Sequence, residues 1–311
     1  MNGHIPEVLV LRALKLGDLL VAVPALRALR REFPGHRITY AAQAWLEPVI
    51  ELVGGIGLLD THGLDVPIAR RAAEVDVAVN LHGAGPESRG RIAALSARRV
   101  ISHRGGGIPG PSWDKDVHER ERWCRLLQWH GIAADPHDFK LRAPVRRTAV
   151  PGAAVVHPGA AYPSRHWPVQ RFAQVARALA DAGHEVVFTG SASERHRALA
   201  VAEAAGLGAG AVVAGQLSLS DFAALAAEAS CVVSADTGAA HLASAYGIPS
   251  VVLFGPAPVE SWGPPPGPHV VLTDAALRRG DSFGLVPDPA LLAVSAQSAI
   301  AALEGLGLLM R

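Results

Sequence analysis

The segment Ser234-Ala235-Asp236-Thr237-Gly238-Ala239-Ala240-His241 carries the strongest chemical signal in this sequence. A β-branched run ends there and a helical stretch of small residues begins. Glycine at such a turn lets the backbone approach a ligand closely, and the free amides and positive dipole end of a first helical turn suit a diphosphate. The Thr237 hydroxyl adds a hydrogen bond, and Thr237 and His241, four apart, share one helix face, which sets the imidazole beside the same anion. The same residues also suit a plain helix cap at Asp236 or Thr237 with a core histidine behind it.

Three other segments bear on the same chemistry. His157-Pro158-Gly159-Ala160-Ala161 again follows a strand-like run, so Gly159 and Ala160 offer a second anion-binding turn. In the following Ser164-Arg165-His166-Trp167-Pro168, Arg165 can place two N–H donors on phosphate oxygens. Taken alone, Arg165 reads more readily as a solvated loop residue, and Trp167-Pro168 as a packed helix start. Lys15-Leu16-Gly17-Asp18 closes the first strand-like run. There Gly17 fits a turn, and Asp18 serves either as N-cap of a helix beginning at Leu19 or as a general base for an acceptor hydroxyl. His82-Gly83-Ala84-Gly85, with Arg89 nearby, is a weaker turn of the same kind. Asp236 lacks the second carboxylate of a paired metal motif, so no metal site is expected.

The elements that must position these groups alternate between strand-like and helical patterns, the signature of parallel βαβ units. The first half predicts strands at Glu7–Leu11, Arg37–Ala41, Val75–Leu81 and Arg99–Ile101, with helices at Leu19–Phe33, Glu47–Val53 and Val117–His130. Residues 143–152 (APVRRTAVPG) read as a linker between domains 1–145 and 153–311. The second half predicts strands at Ala153–His157, Glu185–Thr189, Ala211–Val213, Cys231–Ser234 and Ser250–Phe254. Its helices are expected at Val169–Ala182, Ser193–Ala205, Ser220–Ala229 and Ala239–Tyr246. A last helix, Ala290–Leu303, has the option of packing back on the first domain. Two open α/β sheets in tandem imply ligands beyond the strands' carboxyl ends, in a cleft between facing domains.

Bulk properties exclude several function classes. The 311 residues suit two domains, and 29 Lys+Arg against 28 Asp+Glu leave a net charge of +1, no field for nucleic acid. Two distant cysteines, Cys124 and Cys231, suit buried thiols in a reducing cytosol. No stretch reaches the roughly 20 apolar residues of a membrane helix, and the N-terminal pattern is not that of a signal peptide, so a cytoplasmic location is expected.

Taken in order, these segments resemble the heptosyltransferase family, glycosyltransferase family nine. The resemblance rests on Val8-Leu9-Val10-Leu11-Arg12 through Gly17-Asp18 and Pro24-Ala25-Leu26, on Pro158-Gly159-Ala160 with Trp167-Pro168, on Asp236-Thr237-Gly238 through His241-Leu242-Ala243, and on Phe254-Gly255-Pro256 with Trp262-Gly263-Pro264. It implies a GT-B fold with an N-terminal acceptor domain and a C-terminal donor domain. It also implies inverting transfer from a nucleotide sugar, ADP-heptose in the best-known members, with no metal and no other cofactor. Asp18 matches the base. Asp236, Thr237, Gly238 and His241 match the donor loop, and Arg165 stands where members usually carry Lys. Glu194 resembles a glutamate on the ribose, and Leu217 a residue lining the adenine pocket. On the acceptor side fall Arg12, Gly17, His82, Gly83, His118 and Arg122, the last two facing an acidic acceptor. The acceptor is a glycan, such as lipopolysaccharide core, or a small natural product. A lipid-linked acceptor implies peripheral membrane contact; a monomer is expected, and closure about residues 143–152 would bring Asp18 to the donor. A nucleotide-sugar epimerase of the same architecture and a nucleotide-binding homologue without catalysis are the competing readings.

Overall fold

The computed structural model describes residues 5–72 and 74–309, and the chain divides into two compact units, Met1–Arg142 and Ala143–Arg311. In the first unit the chain runs β1 (Glu7–Leu11), α1 (Leu16–Glu32), β2 (Arg37–Ala42), α2 (Glu47–Val53), β3 (Gly57–Asp60), β4 (Val77–Asn80), α3 (Pro86–Ala93), β5 (Arg99–Ile101) and α4 (Glu119–Trp129). The five strands form one parallel sheet in the order β3-β2-β1-β4-β5. Helices on a parallel sheet's faces bury its central strands on both sides. That is why Val8–Leu11 and 77–79 (VAV) are apolar without alternation, and why β1 and β4 are buried along their whole length.

The second unit runs β6 (Ala154–His157), α5 (Val169–Asp181), β7 (Val186–Phe188), α6 (Arg195–Ala204), α7 (Leu219–Ala227), β8 (Cys231–Ala235), α8 (Gly238–Tyr246), β9 (Ser250–Leu253), α9 (Val259–Trp262), β10 (His269–Leu272), α10 (Pro289–Leu292) and α11 (Ala296–Gly305). Its sheet is also parallel, in the order β10-β9-β8-β6-β7. Strand order reverses beside the first strand of each unit, between β1 and β4 and between β6 and β8. Open parallel sheets bind ligands beyond the carboxyl ends at such a reversal. The switch points fall at Arg12 and Leu81 in one unit, and at His157 and Asp236 in the other.

Several expectations are revised. α1 begins at Leu16, three residues before the expected start, so Gly17 and Asp18 lie inside its first turn and Lys15 is the N-cap. The expected strand at Ala211–Val213 is a 3₁₀ turn, Ala209–Ala211, with one bridge from Val212 to Phe188. The expected last helix is two helices, α10 and α11. Ala296, Ala299 and Leu303 of α11 are buried in the second unit's core with Trp167, Phe172 and Leu179, because an apolar face is covered by its nearest sheet. Segment 143–152 is tied to the second unit, with Arg146 on Asp221, Arg147 on Glu228, and the Gly152 amide donating to the Glu228 carbonyl.

Candidate active site

Arg12, the first residue past β1, organises the first unit's switch point. Its side chain is 1 % exposed. Nε donates to the Asp18 carbonyl at 2.7 Å and one terminal nitrogen to Asp18 Oδ1 at 2.9 Å. The other terminal nitrogen donates to the Leu81 carbonyl just past β4, tying the two strand ends together. The second Asp18 oxygen accepts from the Lys15 amide at 3.2 Å. Asp18 is therefore the acidic residue that satisfies an orphan amide of the first turn, and it is held on both oxygens while 23 % of its side chain stays exposed. That exposure leaves a lone pair for a proton.

Behind Arg12 stands α4. Glu119 lies 3.5 Å from Arg12 and accepts from Arg122 Nε at 2.7 Å, and the Arg12 guanidinium sits 4.7 Å over the Trp123 ring. Arg122 is turned inward, contrary to the expectation that it faces an acidic acceptor. It is 4 % exposed, its nitrogens go to Glu119, the Asp114 carbonyl and the Val117 carbonyl, and its guanidinium stacks 4.0 Å over Trp113. Burying an arginine costs several kcal/mol unless its donors are used, which accounts for so complete a set of partners. His118 is the N-cap of α4, and its Nδ1 accepts from the Arg120 amide at 3.1 Å. His82, past β4, keeps Nδ1 buried without a partner among the described residues. Burial, then the charge of Arg12, lowers its pKa, against the opposing pull of Asp18, which favours the neutral ring. Gly83 is half-buried, and its carbonyl accepts from the Ser88 hydroxyl at 3.5 Å.

In the second unit an arginine again reaches across the switch point. Arg165, in the loop after β6, donates to the Asp236 carbonyl at 3.0 Å and to Asp236 Oδ2 at 3.3 Å. It is 28 % exposed, and its Nε is buried with no partner among the described residues. Thr237 is the N-cap of α8, yet its hydroxyl caps nothing; Oγ1 is buried and has no partner among the described residues. His241, one turn into α8, lies 3.6 Å from Asp236 Oδ1 and edge-on to Trp262 at 6.3 Å between ring centroids. Gly238 opens the helix. Asp236, Thr237, His241 and Arg165 are thus brought together at the amide-rich end of a nine-residue helix, where the dipole favours an anion.

Gly159 and Glu194 meet on the other side of β6. A Cβ on Gly159 would lie 2.4 Å from the Glu194 carboxyl carbon, so only glycine lets the carboxylate lie against this turn. Glu194 is fixed there by the Ser191 amide, 2.7 Å from Oε2. Ala160 is buried and its carbonyl bonds the His166 ring at 3.0 Å. Leu217 is half-buried against the cluster containing Val155, Val187 and Leu225, beside Phe222, which stacks on His157 at 5.8 Å. His157 bonds Thr189 at 2.9 Å, and burial lowers its pKa against the pull of Glu194.

Sequence reasoning missed Glu119, Trp113 and Trp123 around Arg12, and Arg197, which holds the Pro158 and Trp167 carbonyls. The i,i+3 pair Glu119–Arg122 beside a tryptophan was the one local trace of the first group. Among the described residues no three His, Cys, Asp or Glu side chains converge as a metal-ion set, and no helix is long and apolar enough to cross a membrane.

Two parallel-sheet units with polar groups gathered at both switch points have the architecture of E. coli ADP-heptose lps heptosyltransferase II. That structure matches with a TM-score of 0.78 at 22 % identity, over 97 % of this chain and 98 % of that one, which makes the fold GT-B. Residues 120–276 match the model of glycosyltransferase family 9 (heptosyltransferase). The chain is 33 % identical over 292 residues to lipopolysaccharide heptosyltransferase 2 of Escherichia coli K12, spanning 80 % of this chain and 83 % of that protein. It is 28 % identical over 283 residues to lipopolysaccharide heptosyltransferase 1 of Pseudomonas aeruginosa, spanning 80 % and 79 %. The chain belongs to glycosyltransferase family 9 and is a sugar-transferring enzyme.

Proposed function

We propose that this glycosyltransferase moves heptose from ADP-heptose to a hydroxyl of a lipopolysaccharide core in one inverting, metal-independent displacement. The observation that carries the donor half is the pair of buried, unpartnered groups at the start of α8, Thr237 Oγ1 and Arg165 Nε. A buried polar group left without a partner costs about 1–3 kcal/mol, and a diphosphate is the ligand whose oxygens suit a hydroxyl, a guanidinium and helical amides together. The sugar and the base are inherited from the relatives, one of which is named for ADP-heptose and two for lipopolysaccharide.

In the reaction the acceptor oxygen attacks the anomeric carbon as the bond to the β-phosphate oxygen breaks. Asp18 takes the acceptor's proton, and ADP leaves with the electron pair. The charge growing on ADP is met by Arg165, by the α8 dipole and by the Thr237 hydroxyl, donors already in place before the bond breaks. Asp236 holds Arg165 and stands beside His241, keeping two basic groups at one helix start. Glu194, against Gly159, is a carboxylate suited to ribose hydroxyls, and Leu217 an apolar wall for the base.

Incubation with ADP-heptose and heptose-deficient lipopolysaccharide tests this. ADP release should depend on the acceptor and persist in EDTA, and the new linkage should have the anomeric configuration opposite to the donor's. Preference for a UDP- or GDP-sugar would overturn the donor, and isomerised nucleotide sugar without acceptor would make the protein an epimerase.

A further inference from the structure

The charges behind Asp18 point to a second role in the first unit. Arg12 was expected from sequence to face the acceptor, yet it is among the largest fully buried side chains of the chain. Its Nε and both terminal nitrogens bond Asp18 and the Leu81 carbonyl, and its face lies on Trp123. It presents nothing to a ligand. What it does present is a fixed Asp18: one residue's carbonyl and carboxylate are gripped by a single planar fork, and the carboxylate's other oxygen is held by the Lys15 amide. The fork is itself fixed from α4. Glu119 approaches Arg12 at 3.5 Å and is locked by Arg122 at 2.7 Å, and Arg122 is clamped in turn by Trp113 and two carbonyls. Arg12, Glu119 and Arg122 are all less than 9 % exposed. Sheet packing alone calls for no such buried charges, since apolar residues of similar volume fill a core at least as favourably.

We propose that Arg12 is the positioning residue of the Asp18 carboxylate, and that Glu119 of α4 holds Arg12 in register. The proposal rests on the reading of Asp18 as the base. Displacing a catalytic group by about 1 Å costs on the order of 100-fold in rate, and a carboxylate on a freely turning side chain moves further than that.

The test is steady-state kinetics with ADP-heptose and heptose-deficient lipopolysaccharide on Arg12→Lys, Arg12→Ala, Glu119→Gln and Asp18→Asn, each checked for folding by its Tm and ADP affinity. Lysine keeps the charge and loses the fork, so Arg12→Lys should lower kcat by about 100-fold while both KM values stay within about three-fold. Added guanidinium should restore Arg12→Ala by about ten-fold or more and leave Asp18→Asn unchanged. Glu119→Gln, close in shape and more readily folded, should lower kcat by about ten-fold at constant KM. A folded Arg12→Lys with wild-type kcat, a loss confined to acceptor KM, or an Arg12→Ala that guanidinium does not restore overturns the positioning role. Wild-type kcat in Glu119→Gln removes α4 from it. Wild-type turnover in Asp18→Asn instead overturns the base itself, and an inactive Asp18→Asn beside a fully active Arg12→Lys overturns only the positioning.

Discussion

Arg12 and Arg165 occupy matching places in the two units, each past the first strand and each reaching to an aspartate at the switch point, yet they are built to opposite ends. Arg12 is 1 % exposed and its Nε and both terminal nitrogens bond the protein; Arg165 is 28 % exposed and keeps a buried Nε unpartnered. Their aspartates differ in the opposite sense, Asp18 being 23 % exposed and Asp236 6 %. In the first unit the arginine is sacrificed to steady an accessible carboxylate, and in the second a buried carboxylate steadies an accessible arginine. On the proposed function the difference separates a unit that would take a proton from one that would take an anion, although both sheets are parallel and both sites lie at strand reversals.

Exchanging the exposed member of each pair should break the comparison most sharply. Asp18→Asn is expected to lower kcat by about 1,000-fold, the span of a general base, while ADP affinity stays within about three-fold. Kinetics and calorimetric titration with ADP check it; weakened ADP binding would show that the two units' roles are not separate. Arg165→Ala should do the reverse, weakening ADP binding by about 10- to 100-fold, the worth of a charge-assisted hydrogen bond, at nearly constant Tm. An unchanged Kd would leave that unit's anion site to the helix alone.

The smallest effect expected is on stability against pH. His82, His103 and His130 in the first unit and His157 and His166 in the second have pKa values lowered by burial. An unfolded chain therefore takes up protons before the folded one does, and stability falls as pH drops below the ordinary histidine value of about 6.5. The first unit then loses more, because Asp76, Glu7 and Asp138 are all held down there, against Asp221 in the second, held down by the Ser218 hydroxyl. Hydrogen bonds from Arg98 and His36 hold Asp76 down at about 2. For Glu7 and Asp138, burial, which would raise the pKa, is outweighed by Arg70 and Thr39 and by Arg31 and Arg27 respectively. Stability from such carboxylates is full above their unfolded values and is lost as pH falls through the folded ones. Scanning calorimetry from about pH 7 to about pH 3 should show the first unit's transition moving down further than the second's; equal movement would refute the contrast.

The sheets were legible where burial on both faces wrote an unbroken apolar run, as in Val8–Leu11 and Cys231–Val233. β3 was missed because a four-residue edge strand, Gly57–Asp60, is half exposed and never becomes such a run. α3 is an eight-residue helix that contains Pro86 and Gly90 and so lacks a strong helical pattern, although proline at a first helical position costs nothing. β10 was hidden between prolines and polar residues at its two ends. At the candidate sites, the grouping of Asp236, Thr237 and His241 was readable because they lie within eight consecutive residues. The Arg12 cluster was not, since Glu119 lies more than a hundred residues away and a charge in an exposed-looking helix gives no sign of pointing inward.

Cys124 in α4 and Cys231 in β8 are both buried, with thiol pKa values pushed up to about 12, the first by burial and nearby carboxylates, the second by burial alone against a hydrogen bond from Ser230. Such thiols stay protonated and resist alkylation until the surrounding structure opens. Because each unit carries one, a pulse of alkylating reagent followed by peptide mass spectrometry reads two separate opening rates from an unaltered chain, and no label need be engineered to ask whether one unit breathes without the other.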